Sequence, residues 1–184
     1  DRSELEAVLE ENMAWRYIKM NIDTTDPELQ KSFQFFVQTI SPKIVPYAHG
    51  LNTKLMNSKH LKDLDSAYYF IYLRDIKNAI HLYREENIPL FTELTNKAQK
   101  FGEISAQMMV QVDGKDQTLQ QASVHLKSID RDKRKAVFEL INLRRIEDQT
   151  SLDVLLDELI AKRQELARNA NFENFRDYKF QAMG

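Results

Sequence analysis

Cysteine is absent from this chain. Its absence excludes disulfides, zinc ribbons, thiol nucleophiles and iron–sulfur clusters, and it fits a reducing cytoplasm, the compartment expected here. Glycine and proline are scarce, four of each in 184 residues, which predicts few turns and much helix. No long uncharged apolar run occurs, so no transmembrane helix and no membrane partner are expected. The start Asp1-Arg-Ser-Glu shows no charged-then-apolar leader, so no signal peptide is expected either. Neither sign of charge dominates: the formal net charge is -2, and a nucleic-acid binder held by a basic surface is not expected.

What is present reads as helix. The length suffices for one domain or one lobe of a larger enzyme. Ser3-Glu-Leu-Glu6 has the form of a capping box for a first helix, with Leu5, Val8, Leu9, Met13, Tyr17 and Met20 at helical spacing. Pro27 suits a restart after a break, and a second helix through Phe33, Phe36, Val37 and Ile40 meets Ser41-Pro42. Pro46 and Gly50 predict a kinked segment after that. A long helix is predicted over 66–86, with Tyr69, Tyr72, Leu73, Ile76, Ile80 and Tyr83 as its buried stripe. Asn87-Ile88-Pro89 is a further break, and Gly102 is placed to cap the next helix in the left-handed conformation.

The period then changes to two. Ile104, Ala106, Met108, Val110 and Val112 alternate with polar or exposed positions and predict a strand over 104–112. Asp113-Gly114 is a hairpin turn, and Thr118-Leu-Gln-Gln121 is a capping box that keeps the return strand short. Helices are predicted over 118–128, 130–149 and 151–169. The expected fold class is mainly α: a single multi-helix lobe over 1–184 with a small β-hairpin or short strand near 103–117.

Side chains with chemical potential are few. None of His49, His60, His81 and His125 is followed by Glu, and none has a second His four residues on. His81 and Glu85 have that spacing on a predicted helix, but two ligands are too few for a closed zinc site. No G-x-S-x-G elbow and no Gly-rich phosphate loop exist. Glu10-Glu11, Glu85-Glu86 and the pair Asp63 and Asp65 read as solvated faces or helix-start charges rather than acid/base pairs. Tyr68, Tyr69, Phe70 and Tyr72 read as core rather than a base-stacking surface. Arg144 and Arg163 stand on otherwise apolar faces; Arg163 interrupts the stripe Leu152, Leu155, Leu156, Leu159, Ile160, Leu166 and Ala167. Each is expected to reach a carboxylate or an edge within the lobe, the other reading being a tie to a second lobe. A free edge on strand 104–112 could accept a peptide, but pairing within its own sheet is preferred.

The tail carries the most specific pattern: Arg163-Gln-Glu-Leu-Ala167, with Phe172 five residues on. It resembles the segment of oligoendopeptidase F and thimet-type zinc metallopeptidases that precedes their catalytic half. The resemblance runs from about Trp15 to the end, through Asn87-Ile-Pro-Leu90, Asp116-Gln-Thr-Leu-Gln120 and Asp130-Arg-Asp-Lys-Arg134. That family usually has Gly where this chain has Asn171, and both residues tolerate the left-handed conformation that ends a helix. The family's zinc motif, H-E-x-x-H, is nowhere in the chain.

The resemblance implies a helical zinc endopeptidase acting on oligopeptides in a deep channel between two lobes, this segment being the N-terminal one and part of the channel wall. Zinc is then a cofactor of the parent protein, with none in this segment. No catalytic, cofactor-binding or metal-ligating residue carries over to it, and the segment alone is expected to be inactive. The expected partners are the oligopeptide substrate and the catalytic lobe. The rival class is a non-catalytic helical module that binds a protein partner.

Overall fold

Asp1, not Ser3, starts the first helix. The computed structural model describes residues 1–184, and in it α1 (Arg2–Ile22) is capped by the Asp1 carboxylate, which accepts from the Ser3 N–H at 3.1 Å. The predicted box cannot form, because Ser3 already lies inside the helix and Glu6 is engaged by Arg2 at 2.7 Å. After Asp26, which accepts from the Glu28 and Leu29 N–H groups, α2 (Pro27–Phe35) begins with proline in its first turn.

The break expected at Ser41-Pro42 does not occur. A π-helical turn, Phe36–Ile40, leads straight into α3 (Ser41–Met56). Pro42 falls in the first turn of α3, where its missing N–H costs little, and Pro46 is carried inside the helix. The wide π turn buries both Phe36 and Val37, and the Val37 carbonyl accepts from the Thr92 hydroxyl at 3.3 Å.

The helix predicted over 66–86 is shorter: α4 is Phe70–Leu82. It stops because Tyr83 turns extended (ψ 127) and Arg84 folds back to donate to the His81 carbonyl. Ile76 of the predicted stripe is buried, whereas Tyr72 is exposed. α5 (Asn87–Ala106) runs through Gly102, so that glycine is no cap. The strand is correspondingly shorter than 104–112: β1 is Met109–Val112. The predicted phase is right, with Met108, Val110 and Val112 buried. Asp113 (φ 53) and Gly114 (φ 75) make the two-residue turn, and β2 (Lys115–Thr118) returns antiparallel with Val112 opposite Lys115 and Met109 opposite Thr118.

Both sides of the Thr118 capping box are present at the start of α6 (Leu119–Ser123), which tightens into a 3-10 turn, Val124–Lys127. Asp130 caps α7 (Arg131–Glu147) by accepting from the Asp132 and Lys133 N–H groups. α8 (Gln149–Asn169) follows, then α9 (Phe175–Met183), capped by Asn174. The protein is mainly α with one two-stranded sheet.

The chain forms two compact units, one of Asp1–Thr95 with Ile160–Gly184 and one of Asn96–Leu159. In the first, Leu82, Leu90, Leu166, Ala167, Ala170 and Tyr178 form a core, with Phe172 and Phe175 packed against it; Met20, Phe33 and Val37 form another. In the second, the inward face of the hairpin (Val110, Val112) packs on Ala122, Val137 and Ile141. Lys162 pairs with Glu93 in the first unit, and Lys97 pairs with Glu158 in the second.

Candidate functional site

The first unit holds a cavity of about 490 Å³. Its walls come from one face of α3 (Ile44, Val45, Ala48, His49, Asn52), one face of α4 (Asp75, Asn78, Ala79, Leu82), and Tyr178 with the end of α9. The helical spacing of these positions explains why each helix offers them together. The His49 ring stacks on Tyr83 with centroids 3.8 Å apart and planes 10° from parallel. The Nδ1 atom of His49 is buried without a hydrogen-bond partner. Asn52 is buried, and its Oδ1 accepts from the Arg2 guanidinium at 2.9 Å. Asn78 Oδ1 accepts from Gln181 Nε2 at 3.4 Å.

Arg84 lies at this wall and is held by backbone carbonyls. It donates to those of His81 (2.9 Å), Tyr83 (2.6 Å), Asn169 (2.9 Å) and Ala170 (3.4 Å). It thereby satisfies the ends of α4 and α8, whose last carbonyls have no partner inside their own helices. Beside it Asn87, fully buried, donates to the Leu166 carbonyl at 3.0 Å and accepts from Asn169 Nδ2 at 2.8 Å. Asn171 takes φ 65, with Phe172 N–H bonded to the Ala167 carbonyl and Asn171 N–H to that of Arg168. This is the left-handed helix ending expected of that position. Burial holds the Tyr178 phenol above its ordinary value, and the Arg84 charge opposes part of that shift.

The other residues singled out in the sequence lie apart from the cavity or are engaged. His81 sits at the end of α4 with Glu85 beyond it, so the two do not share a helical face; His81 meets the Phe172 ring edge-on at 6.1 Å. His60 pairs with Asp63 at 3.3 Å in an exposed turn, and His125 contacts Gln117 at 3.2 Å. Asp65 accepts from the Ala67 and Tyr68 N–H groups, a turn role. Tyr68, Phe70 and Tyr72 are exposed rather than core, because α4 starts too late to turn them inward. Arg144 pairs with Asp148 at 2.5 Å and Glu147 at 3.4 Å and donates to the Gln107 carbonyl, all inside its own unit. Arg163 lies over the Phe175 ring at 5.8 Å. β1 pairs with β2 in a sheet of two strands.

No group of three or more His, Asp and Glu side chains is assembled that could hold a metal ion. The residues present therefore do not fit the zinc that the resemblance implies, and no step of chemistry is derived through it. What Arg84, Asn52 and His49 do offer is a set of N–H donors and one positive charge along an apolar wall.

The helical first unit and its capped α8–α9 corner define the class. Residues 1–83 match the family model of the Peptidase M3 N-terminal domain. The chain has the fold of the N-terminal part of oligoendopeptidase F-like proteins, as the resemblance read from its tail implies. A protein assigned as an oligoendopeptidase F from Bacillus anthracis str. Ames superposes with TM-score 0.83 at 24% identity, over 91% of this chain and 31% of its own. A second protein assigned as oligoendopeptidase F gives TM-score 0.82 at 22% identity, over 97% of this chain and 33% of its own. PZ peptidase A, solved with an inhibitor, gives 0.84 at 21% identity, over 98% and 34%. The chain thus spans about a third of the length of these structures. No curated protein matches it.

Proposed function

We propose that this chain is the N-terminal part of a zinc-dependent oligoendopeptidase that cleaves short peptides. It forms part of the substrate-channel wall and carries no reaction centre of its own. The observation that supports this reading most is the agreement between the M3 N-terminal match over residues 1–83 and a shared fold across nearly the whole chain with proteins about three times as long. A second observation agrees with it. Large apolar side chains stand exposed on several helices: Val8, Trp15 and Ile22 on α1, and Phe138, Leu143 and Ile146 on α7. Faces of this kind suit a segment that a further part of the same protein covers. The metal ligands and the general base then lie outside the present sequence, and oligopeptides rather than folded proteins are the substrate class.

The test is to assay the full-length protein and the 184-residue segment side by side on a quenched fluorescent peptide, with and without a chelator. Chelator-sensitive hydrolysis by the full-length protein alone is the expected result, with no stoichiometric zinc on the segment. Hydrolysis by the purified segment overturns the assignment. If the full-length protein neither cleaves peptides nor carries H-E-x-x-H, the exposed faces belong to a helical interaction module instead.

A further inference from the structure

We propose that the cavity bounded by α3, α4 and α9 binds the carboxylate of a small, mainly apolar acid. The orientation of Asn52 carries the argument. A guanidinium has no acceptor, so the atom of Asn52 that faces Arg2 at 2.9 Å must be its carbonyl oxygen. That leaves the Nδ2 amide of a buried, cavity-lining residue as a free donor. One turn away, His49 keeps Nδ1 in a buried position without an acceptor. In the neutral ring a proton there would be a buried unsatisfied donor, so the proton belongs on Nε2. Asn78 repeats the logic of Asn52, with its oxygen turned to Gln181 and its amide nitrogen left over.

Three N–H donors thus come from two adjacent helices to one cavity. The nearby charges favour an anion. Arg84 spends its donors on backbone carbonyls but keeps its charge. Asp75 opposes it and is itself paired with Arg74 at 3.0 Å. The remaining wall is apolar, formed by Ile44, Val45, Ala48, Ala79 and Leu82, and its size falls within the range of small-molecule sites. The ligand that satisfies these groups has an acceptor-only, negatively charged head and an apolar body. A free carboxylic acid and the C-terminus of a short peptide share this chemistry. The inference does not depend on peptidase activity.

The experiment is calorimetric titration of the full-length protein with 3-phenylpropanoate, with 3-phenylpropanamide, and with an N-acetylated dipeptide ending in a free phenylalanine carboxylate. Saturable binding of the acid is expected, with the amide weaker by about tenfold. Asn52→Asp keeps the contact to Arg2 but replaces the donor by a second oxygen, and should weaken the acid by about tenfold or more. His49→Phe keeps the stack on Tyr83 and removes the Nε2 donor, which gives a second reading if the first variant does not fold. Tighter binding of the dipeptide assigns the site to peptide ends, and tighter binding of 3-phenylpropanoate assigns it to free acids. Equal binding of acid and amide, binding unchanged in both variants, or no saturable binding of either acid overturns the proposal.

Discussion

Asn87 closes the account of the α8 carboxyl end. The Ala167 and Arg168 carbonyls are met by the turn that follows, Asn169 and Ala170 by Arg84, and Leu166 by the Asn87 amide. Asn87→Ala strips the buried Leu166 carbonyl and the Asn169 amide of a partner at once. Chemical denaturation should show a loss of roughly 2–4 kcal/mol. Tyr178 gives a prediction in pH. Its phenol is raised by burial, so the folded state favours the protonated form. Stability from this group is present in full below the ordinary value of 10.0 and is lost as pH climbs through the raised one. Tyr178→Phe should therefore flatten the alkaline limb of a pH–stability curve measured by thermal unfolding. A variant that follows the parent chain above that pH rules out the linkage.

This corner also marks where sequence reading stops. The segment Asn87-Ile88-Pro89 is legible as a punctuation mark, but not why an asparagine stands there. Its partners are about eighty residues further along the chain, at Leu166 and Asn169. His49 is legible only as a possible metal ligand, since its stack on Tyr83 joins two helices that no local pattern connects. The cavity is assembled from α3, α4 and α9, and is invisible for the same reason.

At the scale of elements, signals that act within four residues were legible. The Asp113-Gly114 turn, the Thr118 box and the Asp130 cap stand as read, because each is decided by one side chain and its neighbouring N–H groups. The helix-to-strand boundary is not local. Ile104 satisfies a period of two toward Val112, but α5 continues to Ala106. Gly102 is the casualty of that choice, a glycine in a helix interior. A methyl group added there meets nothing within 4 Å, and its φ is not in the left-handed region. Gly102→Ala should stabilise by about 0.5–1 kcal/mol. Had Gly102 ended the helix with positive φ, the same change would destabilise, so the sign of one melting shift separates the two geometries. The hairpin is anchored in its turn by Lys133, which donates to Asp113 at 2.6 Å. That hydrogen bond, with the lysine charge, holds the Asp113 carboxyl below its ordinary 3.8. Lys133→Met should raise the Asp113 midpoint toward that value in a carboxyl NMR titration.

For the whole molecule the informative quantity is apolar surface left in water. Leu5, Val8, Trp15, Ile18 and Ile22 fall on neighbouring positions of α1, and all are exposed. A solvent-facing helix normally shows its charged side there. The isolated segment should bind an apolar-surface dye more strongly per residue than the full-length protein, and should self-associate in sedimentation. Equal dye binding by the two would mean these faces remain open in the parent protein, which favours the interaction module over the peptidase lobe.

The π turn at Phe36–Ile40 sets the rotational phase of everything that follows on the same helical rod. Such a turn accommodates one residue more than an α-helix of the same span. Deleting a single residue there would let the ladder close as ordinary α-helix while rotating α3 by about 100° about its axis. His49 and Asn52 would swing off the cavity wall together, and Pro46 and Tyr47 would change faces with them. A lesion of one residue that leaves helix content intact would thus erase a binding surface beginning eight residues downstream of Ile40, much as a frame error corrupts a message without altering its alphabet.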